Sequence, residues 1–164
     1  MKIKNINELD VNFFAEQRYK MFDQAWRGIL PDSWLNSITV QTTLQNIKNF
    51  IGKGYELYMA FSDDDLPCGY VMFGDYRENE NKEDGEIMSI YFFKDFHGKG
   101  YAQELFSFAE NKLKASHKRI YIWVLEINGR ARHFYEKNGY SDTGERRFQN
   151  CDKLYNECLY VKQN

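Results

Sequence analysis

A strand, a glycine-containing turn and an amphipathic helix follow one another in the middle of the chain. Residues 86–93 are predicted to form the strand, residues 94–100 a short basic turn, and the residues from Tyr101 the helix. The first amides of a helix have no intrahelical acceptor, and the helix dipole adds partial positive charge there. Gly98 and Gly100 let an anion approach these amides closely, so the turn is expected to bind a phosphate group.

Two common phosphate-binding motifs do not match this turn. A P-loop needs a Lys-Ser/Thr pair after its second glycine, whereas Tyr101 follows Gly100. A Rossmann fingerprint needs a third glycine or alanine about where Glu104 stands. Neither class of nucleotide-binding protein is therefore indicated.

Length and charge limit the possible classes of protein. A chain of 164 residues suits one domain with a single core, spanning 1–164. The formal net charge of −2 provides no field that would attract nucleic acid or an anionic membrane. Hydrophobic residues make up 43% of the chain, which is enough for a well-filled interior. We expect a globular protein without a nucleic-acid or membrane partner.

The cellular compartment is predicted from what the sequence lacks. The N-terminal residues contain no apolar run typical of a signal peptide, and no window approaches the roughly 20 apolar residues of a membrane span. Cys68, Cys151 and Cys158 are too few and too scattered for a disulfide framework or a zinc site. These features predict a cytoplasmic protein with no metal.

The hydrophobic periodicity predicts a mixed α/β fold, an α+β arrangement with a mixed sheet. Asp10 and Asn128 are predicted N-caps, and Pro31 is interpreted as a breaker in a loop. The order is β-α-α-β-β-β-α-β-α-β-β, with one crossover helix joining parallel strands. The elements outside the central segment are a strand at 2–6, a helix from 10 to about 28, a loop at 29–34, a helix at 38–51, a hairpin of strands 55–61 and 68–76, a strand at 119–127, a helix at 129–137, and strands at 140–148 and 153–162.

The central turn resembles motif A of the GNAT superfamily of acyl-CoA-dependent N-acetyltransferases. That motif reads Arg/Gln-x-x-Gly-x-Gly/Ala, and residues 97–102 read His-Gly-Lys-Gly-Tyr-Ala. His97 replaces the usual Arg or Gln, and an imidazole donates to a phosphate mainly when it is protonated.

Residues 128–140 resemble motif B of the same superfamily. The motif reads Asn-x-x-Ala-x-x-Phe-Tyr-x-x-x-Gly-Phe/Tyr, and its fixed positions are matched by Asn128, Ala131, Phe134, Tyr135, Gly139 and Tyr140. The two signatures stand in the family's order, separated by one helix and one strand. The order of elements is also that of the family, in which the two central parallel strands splay apart.

The resemblance implies acetyl-CoA as co-substrate and no metal. The pantetheine arm would lie between the splayed strands, held by backbone groups of residues 90–92, and the pyrophosphate would bind the turn amides of residues 98–102. The cofactor-binding residues implied in this way are Ile90, Tyr91, Phe92, His97, Gly98, Lys99, Gly100, Tyr101, Ala102 and Asn128.

The same resemblance implies two catalytic residues. Tyr135 stands at the position of the family's general acid, and a phenol of pKa near 10 can supply a proton to a departing thiolate. The alternative is that Tyr135 only packs its helix on the sheet. Glu86 stands at a common position for the base that deprotonates the amine, directly or through water, but it could also be a solvent-facing residue at the start of a strand. Some relatives place a Glu where this chain has Trp123.

The amine acceptor is expected to enter from the side opposite the cofactor. An aromatic pocket suits a cation or an apolar side chain, although Trp26 and Trp34 could equally plug the core. A polyamine, an amino sugar, a free amino acid and a peptide N-terminus all remain open, with a polyamine disfavoured because no strongly acidic pocket is indicated. The candidate acceptor residues are Phe22, Trp26, Trp34, Glu145, Arg147 and Phe148.

Three functions are compatible with these features. The first is an N-acetyltransferase in which a primary amine, on a small molecule or a peptide N-terminus, attacks acetyl-CoA directly in a ternary complex. The second is a catalytically weak GNAT-shaped module that senses CoA or binds a partner. The third is a scaffold of this fold that binds no CoA. Relatives are often dimers, so a homodimer is possible.

Overall fold

The computed structural model describes residues 1–78, 82–150 and 154–164, so Cys151 lies outside the described residues. The helices are α1 (Val11–Trp26), α2 (Asp32–Ser37), α3 (Val40–Gly52), α4 (Tyr101–Lys114) and α5 (Gly129–Lys137). The strands are β1 (Lys2–Asn5), β2 (Glu56–Phe61), β3 (Pro67–Asp75), β4 (Asp84–Phe92), β5 (Arg119–Leu125), β6 (Ser141–Asn150) and β7 (Leu154–Gln163).

The seven strands form one mixed sheet in the order β1-β2-β3-β4-β5-β7-β6. All neighbouring strands are antiparallel except β4 and β5, which are parallel and are joined by α4. The mixed α/β fold with a central parallel pair, predicted from the sequence, is confirmed. None of the helices in the described ranges is long and apolar enough to cross a membrane.

Helices α1 and α5 begin at the side chains expected to cap them. Oδ1 of Asp10 accepts hydrogen bonds from the amides of Asn12 and Phe13 at 2.7 and 2.9 Å. Oδ1 of Asn128 accepts from the amide of Ala131 at 3.1 Å. Each cap satisfies otherwise unpaired donors and stabilises its helix by about 1 kcal/mol. Both helices are thereby fixed in position next to the central strands.

The segment predicted as a loop at 29–34 contains the start of a helix. Helix α2 begins at Asp32, and Pro31 occupies the position before its first residue. Proline has a fixed φ that is compatible with the start of a helix, and the amide it lacks would be unpaired there anyway. Interpreting Pro31 only as a breaker was therefore wrong for the residues that follow it.

The helices cover both faces of the sheet. Successive residues of β3 point to opposite faces, so Val71 and Tyr70 belong to different apolar clusters. The first cluster includes Phe106 of α4 and Tyr135 of α5. The second includes residues of α1 and α3, such as Phe14. Because α4 and α5 lie on one face and α1 and α3 on the other, a gap in the sheet is bordered by helices on both sides.

Candidate active site

The sheet opens where the two parallel strands meet. β4 and β5 pair only over Asp84–Arg119, Gly85–Ile120 and Glu86–Tyr121. Beyond Glu86, β4 continues to Phe92 paired with β3 alone, and a β-bulge interrupts that pairing near Met88. The free edge of β4 therefore presents backbone groups that have no partner strand, as expected for splayed central strands.

A cavity of about 760 Å³ fills this opening. Its volume is within the usual range of small-molecule sites, roughly 300–1,000 Å³. Eight of the predicted cofactor-binding residues line it: Ile90, Tyr91, Phe92, His97, Gly98, Gly100, Ala102 and Asn128.

The turn before α4 ends the cavity in a group of unpaired amides. Gly98 and Gly100 have φ angles of 77° and 84°, a left-handed conformation that suits glycine. Among the described residues, the amides of 98–102 donate no hydrogen bond. The first backbone hydrogen bonds of α4 are donated by the amides of Gln103 and Glu104 to the carbonyl of Gly100. The amides of 98–102 and the helix dipole make the turn suitable for an anion.

His97 at this turn is engaged on both ring nitrogens. Nη1 of Arg130 lies 2.9 Å from Nδ1, and the carbonyl oxygen of Phe92 lies 3.2 Å from Nε2. An arginine can only donate, so Nδ1 accepts and Nε2 donates to the carbonyl. Partial burial, followed by the nearby Arg130 charge, lowers the pKa of His97. The imidazole is therefore neutral, and no donor of its ring is left for a phosphate.

Two further predicted cofactor residues direct their side chains elsewhere. Nζ of Lys99 lies 5.1 Å from the ring centroid of Phe96, and the hydroxyl of Tyr101 donates to Oδ2 of Asp63 at 3.2 Å. Neither residue lines the cavity. Any contribution of Lys99 and Tyr101 to the anion site is therefore limited to their backbone amides.

Tyr135 lines the cavity from the α5 side. Its side chain packs beside Phe106 and Tyr140, with ring centroids 5.8 and 6.2 Å away, and the residue is only 7% exposed. Burial raises the pKa of Tyr135 above its ordinary value, so the phenol stays protonated at neutral pH. In the part of the chain that the structure describes, the hydroxyl has no hydrogen-bond partner. Packing and proton donation are thus both compatible with its position.

The structure contradicts one of the two sequence-based expectations for Glu86. The residue is 0% exposed, so the alternative of a solvent-facing strand residue is wrong. It does not line the cavity, and its Oε1 lies 2.9 Å from Nη2 of Arg77. Burial raises the pKa of Glu86, while the charge of Arg77 opposes this rise. Direct contact with an acceptor amine in the cavity is not supported by this arrangement.

Aromatic residues of α1 and α2 form the opposite wall. Phe22, Trp26 and Trp34 line the cavity, as expected for acceptor residues. Nε1 of Trp26 donates to the hydroxyl of Tyr91 at 2.9 Å, and the ring of Phe22 lies 5.8 Å from that of Tyr91. Trp26 also packs against Leu125 in a buried cluster. Trp26 therefore belongs both to the core and to the cavity wall.

The other three candidate acceptor residues do not reach the cavity. Glu145 and Phe148 are exposed, Phe148 by 66%, and Arg147 lies behind the wall. The guanidinium of Arg147 stacks 4.2 Å from the ring centroid of Trp123 and forms an ion pair with Glu157.

Several cavity residues were not identified as site residues from the sequence, among them Ser89, Lys94, Trp123, Arg130 and Glu157. Arg130 occupies a variable position of motif B. Trp123 was noted only as standing where relatives carry a Glu. Glu157 reaches the cavity because β7 pairs with β5, where it opposes Leu125. Glu157 could have been identified only from this pairing of β7 with β5, which cannot be recognised until the order of the strands is known.

Comparisons with known proteins agree with this geometry. The model of the Acetyltransferase (GNAT) family matches residues 16–140, which include both signature motifs. The chain is 24% identical over 120 residues to the uncharacterized N-acetyltransferase YuaI of Bacillus subtilis, covering 73% of this chain and 68% of that protein.

Solved structures show the same fold. A ribosomal-protein-alanine N-acetyltransferase from Brucella melitensis superposes with a TM-score of 0.78 and 14% identity, over 100% of both chains. The structure of yncA from Salmonella typhimurium, which contains its cofactor acetyl-CoA, gives a TM-score of 0.74 and 16% identity, over 99% of this chain and 93% of that one. Because the family model covers more than half of the sequence, this chain belongs to the GNAT family of acetyltransferases.

Proposed function

We propose that this protein transfers the acetyl group of acetyl-CoA to a primary amine, on a small molecule or a peptide N-terminus, in a ternary complex. The observation that carries the proposal is the opening between β4 and β5. It begins beyond the Glu86–Tyr121 pair and leads to the unpaired amides of 98–102. One end of the cavity suits an anionic carrier, and the other is walled by aromatic side chains.

The residues present fit acetyl-CoA, which supplies an acetyl group activated as a thioester. The free edge of β4 at residues 90–92 offers amides and carbonyls to a pantetheine arm. The amides of 98–102 offer donors to a pyrophosphate, and Asn128, which caps α5, also lines the cavity. Each of these contacts uses the backbone, so it depends on fold geometry more than on side-chain identity.

Arg130 supplies a positive side chain at the phosphate end. Its guanidinium is held by His97 at the turn, and both residues line the cavity. A guanidinium binds phosphate more strongly than a neutral imidazole, because its hydrogen bonds are charge-assisted. We therefore assign to Arg130 the phosphate contact that His97 was expected to make, and to His97 the positioning of Arg130.

We assign to Tyr135 the role of hydrogen-bond donor to the departing sulfur. Its hydroxyl lies at the cavity wall, is protonated at neutral pH and has no described partner to compete for its hydrogen. A hydrogen bond from this hydroxyl would stabilise the negative charge that develops on the sulfur. The raised pKa favours hydrogen bonding over complete proton transfer, because a weaker acid releases its proton less readily.

Two carboxylates are candidates for the base that removes a proton from the amine. Glu157 is the one carboxylate on the cavity wall among the described residues, and its ion pair with Arg147 fixes its orientation. Glu86 is buried behind the wall and could act only through a relay such as water. We propose Glu157 as the base that the amine meets first, and retain Glu86 only as a possible distal member of such a relay.

An assay of thiol release from acetyl-CoA across a library of primary amines tests the function. We expect turnover with at least one amine, and a rise in the melting temperature with CoA alone. A ligand present at 100 times its Kd stabilises the folded state by about 2.7 kcal/mol. Stabilisation by CoA without turnover of any amine would contradict the enzyme and favour the CoA-sensing module. The absence of any stabilisation would contradict both.

A further inference from the structure

Helix α1 carries one cation on the side that packs against the sheet. Arg18 lies one turn from Phe14 and one turn from Phe22, and Phe14 and Met21 beside it are fully buried. Apart from the partly buried Arg18 and the buried Gln17, this stripe is apolar. A charged side chain in such a place is costly unless an opposite charge or hydrogen bonds compensate it.

Compensation of Arg18 is incomplete in the structure. No carboxylate within the described ranges forms an ion pair with its guanidinium, and its Nε atom is buried without an acceptor. The guanidinium carbon lies 5.7 Å from the ring centroid of Tyr70, so the aromatic face offers the cation partial compensation. By contrast, Lys20 on the exposed side of α1 lies 3.9 Å from Glu16.

Two more unpaired polar atoms lie next to Arg18. The hydroxyls of Tyr70 and Ser89 are buried, and neither has a partner at full hydrogen-bond geometry, although the Tyr70 hydroxyl lies within interaction distance of both Ser89 and Arg18. Tyr70 pairs with Tyr91 across β3 and β4, which places Ser89 diagonally opposite Tyr70 on the same face of the sheet. Ser89 and Arg18 both act on the Tyr70 hydroxyl, where they partly oppose the rise of its pKa caused by burial. Donors from α1, β3 and β4 thus converge at one point.

This point adjoins the acceptor side of the cavity. Ser89 and Tyr91 line the cavity, and so does Phe22, the residue one helical turn after Arg18. The charge of Arg18 also acts on the hydroxyl of Tyr91. Arg18 and Tyr70 do not line the cavity themselves. A group that enters between Phe22 and the bulged part of β4 would meet the hydroxyls of Ser89 and Tyr91 on the wall, with the charge of Arg18 acting on this region from beside it.

We propose that Arg18 and Ser89 bind a carboxylate of the acceptor, so that the substrate is a free amino acid or a similar amine with a carboxylate close to its nitrogen. This inference rests on the proposed acetyl transfer. A carboxylate would supply the missing countercharge to Arg18 and accept from the Ser89 hydroxyl. Phe22 and Trp34 would then contact an apolar side chain. Polyamines and amino sugars carry no carboxylate and leave Arg18 uncompensated.

Matched pairs of amines test this proposal through kcat/KM. Methionine, phenylalanine and tryptophan are compared with their amides, which keep the amine and the side chain but lose the negative charge. We expect the wild-type protein to prefer at least one acid over its amide by about tenfold or more. Arg18→Met should abolish this preference and leave kcat/KM for the amide within about threefold. Lys20→Met, the control on the exposed side of α1, should leave both values unchanged.

A binding measurement separates this proposal from the proposed function. The melting temperature of the CoA-bound protein is measured with the same acids and amides. A shift caused by the acid and not the amide, and lost in Arg18→Met, supports the carboxylate site even if no thiol is released, in which case acetyl transfer fails alone. Equal effects of acid and amide on the wild type, in rate and in melting temperature, would overturn the inference, and so would the absence of any effect in both. If Arg18→Met does not fold, Ser89→Ala, which removes only a hydroxyl, should still lower the preference for the acid several-fold.

Discussion

Nη1 of Arg130 lies 2.9 Å from Nδ1 of His97, and this contact joins the helix of motif B to the turn of motif A. It fixes the imidazole as the neutral tautomer whose Nε2 donates to Phe92. The residue at the first position of motif A thus serves as an acceptor for a cation from the next motif. The residue at this motif position is thereby linked to a side chain 33 residues away in sequence.

Arg130→Met should weaken the binding of CoA by about tenfold, because it removes one charge-assisted contact to phosphate. The dissociation constant measured by calorimetry should also depend less steeply on salt than that of the wild type. Lys137→Met, in the last turn of the same helix and outside the cavity, is the control. An unchanged dissociation constant for Arg130→Met would remove this residue from the phosphate site.

Gly100→Glu should abolish the stabilisation by CoA, because it introduces a side chain and a negative charge at the unpaired amides. The substitution also strains the backbone, since φ at Gly100 is 84°, at a cost of about 1–2 kcal/mol. Gly54→Glu is a matched control, because Gly54 has a φ of 87° and no atom near its potential Cβ. Both variants should melt at lower temperatures, and only Gly54→Glu should retain the shift with CoA. A retained shift in Gly100→Glu would show that the phosphate binds elsewhere.

Features that depend on local sequence could be predicted well. Asp10 and Asn128 act as caps, and the turn before α4 ends at Gly100, because each depends on a few neighbouring residues. The same local view misinterpreted Pro31, since a residue that ends one element can also precede the next.

Features that depend on strand order could not be predicted in the same way. β7 lies between β5 and β6, so Glu157 reaches the cavity, while Arg147 on β6 lies behind Trp123. The sequence places Arg147 and Phe148 near the acceptor, but β6 is the edge strand and Phe148 is exposed. The position of Glu86 behind the wall likewise follows from the point at which β4 and β5 separate.

Tyr135→Phe should lower kcat by about 10²-fold and leave the dissociation constant of CoA unchanged, because the hydroxyl acts on the departing sulfur and the ring is retained. An acid is lost only above its pKa, and burial raises the pKa of Tyr135 above 10. The wild-type profile of kcat against pH should therefore show no decline between pH 7 and 10 from this group. A normal rate in Tyr135→Phe would leave the residue only its packing role.

Glu157→Gln and Glu86→Gln distinguish the carboxylate on the cavity wall from the one behind it. Glu157→Gln should reduce kcat/KM most strongly near pH 7 and less near pH 9, where more of the amine is already deprotonated and needs no base. Glu86→Gln should instead lower the free energy of unfolding by about 1–3 kcal/mol, because the partly exposed Arg77 loses its countercharge, while kcat/KM changes less than threefold. The comparison requires the full pH profile and a denaturant titration of each variant. A larger loss of kcat/KM in Glu86→Gln than in Glu157→Gln, with the same pH dependence, would assign the base to Glu86 and show that a relay connects it to the cavity.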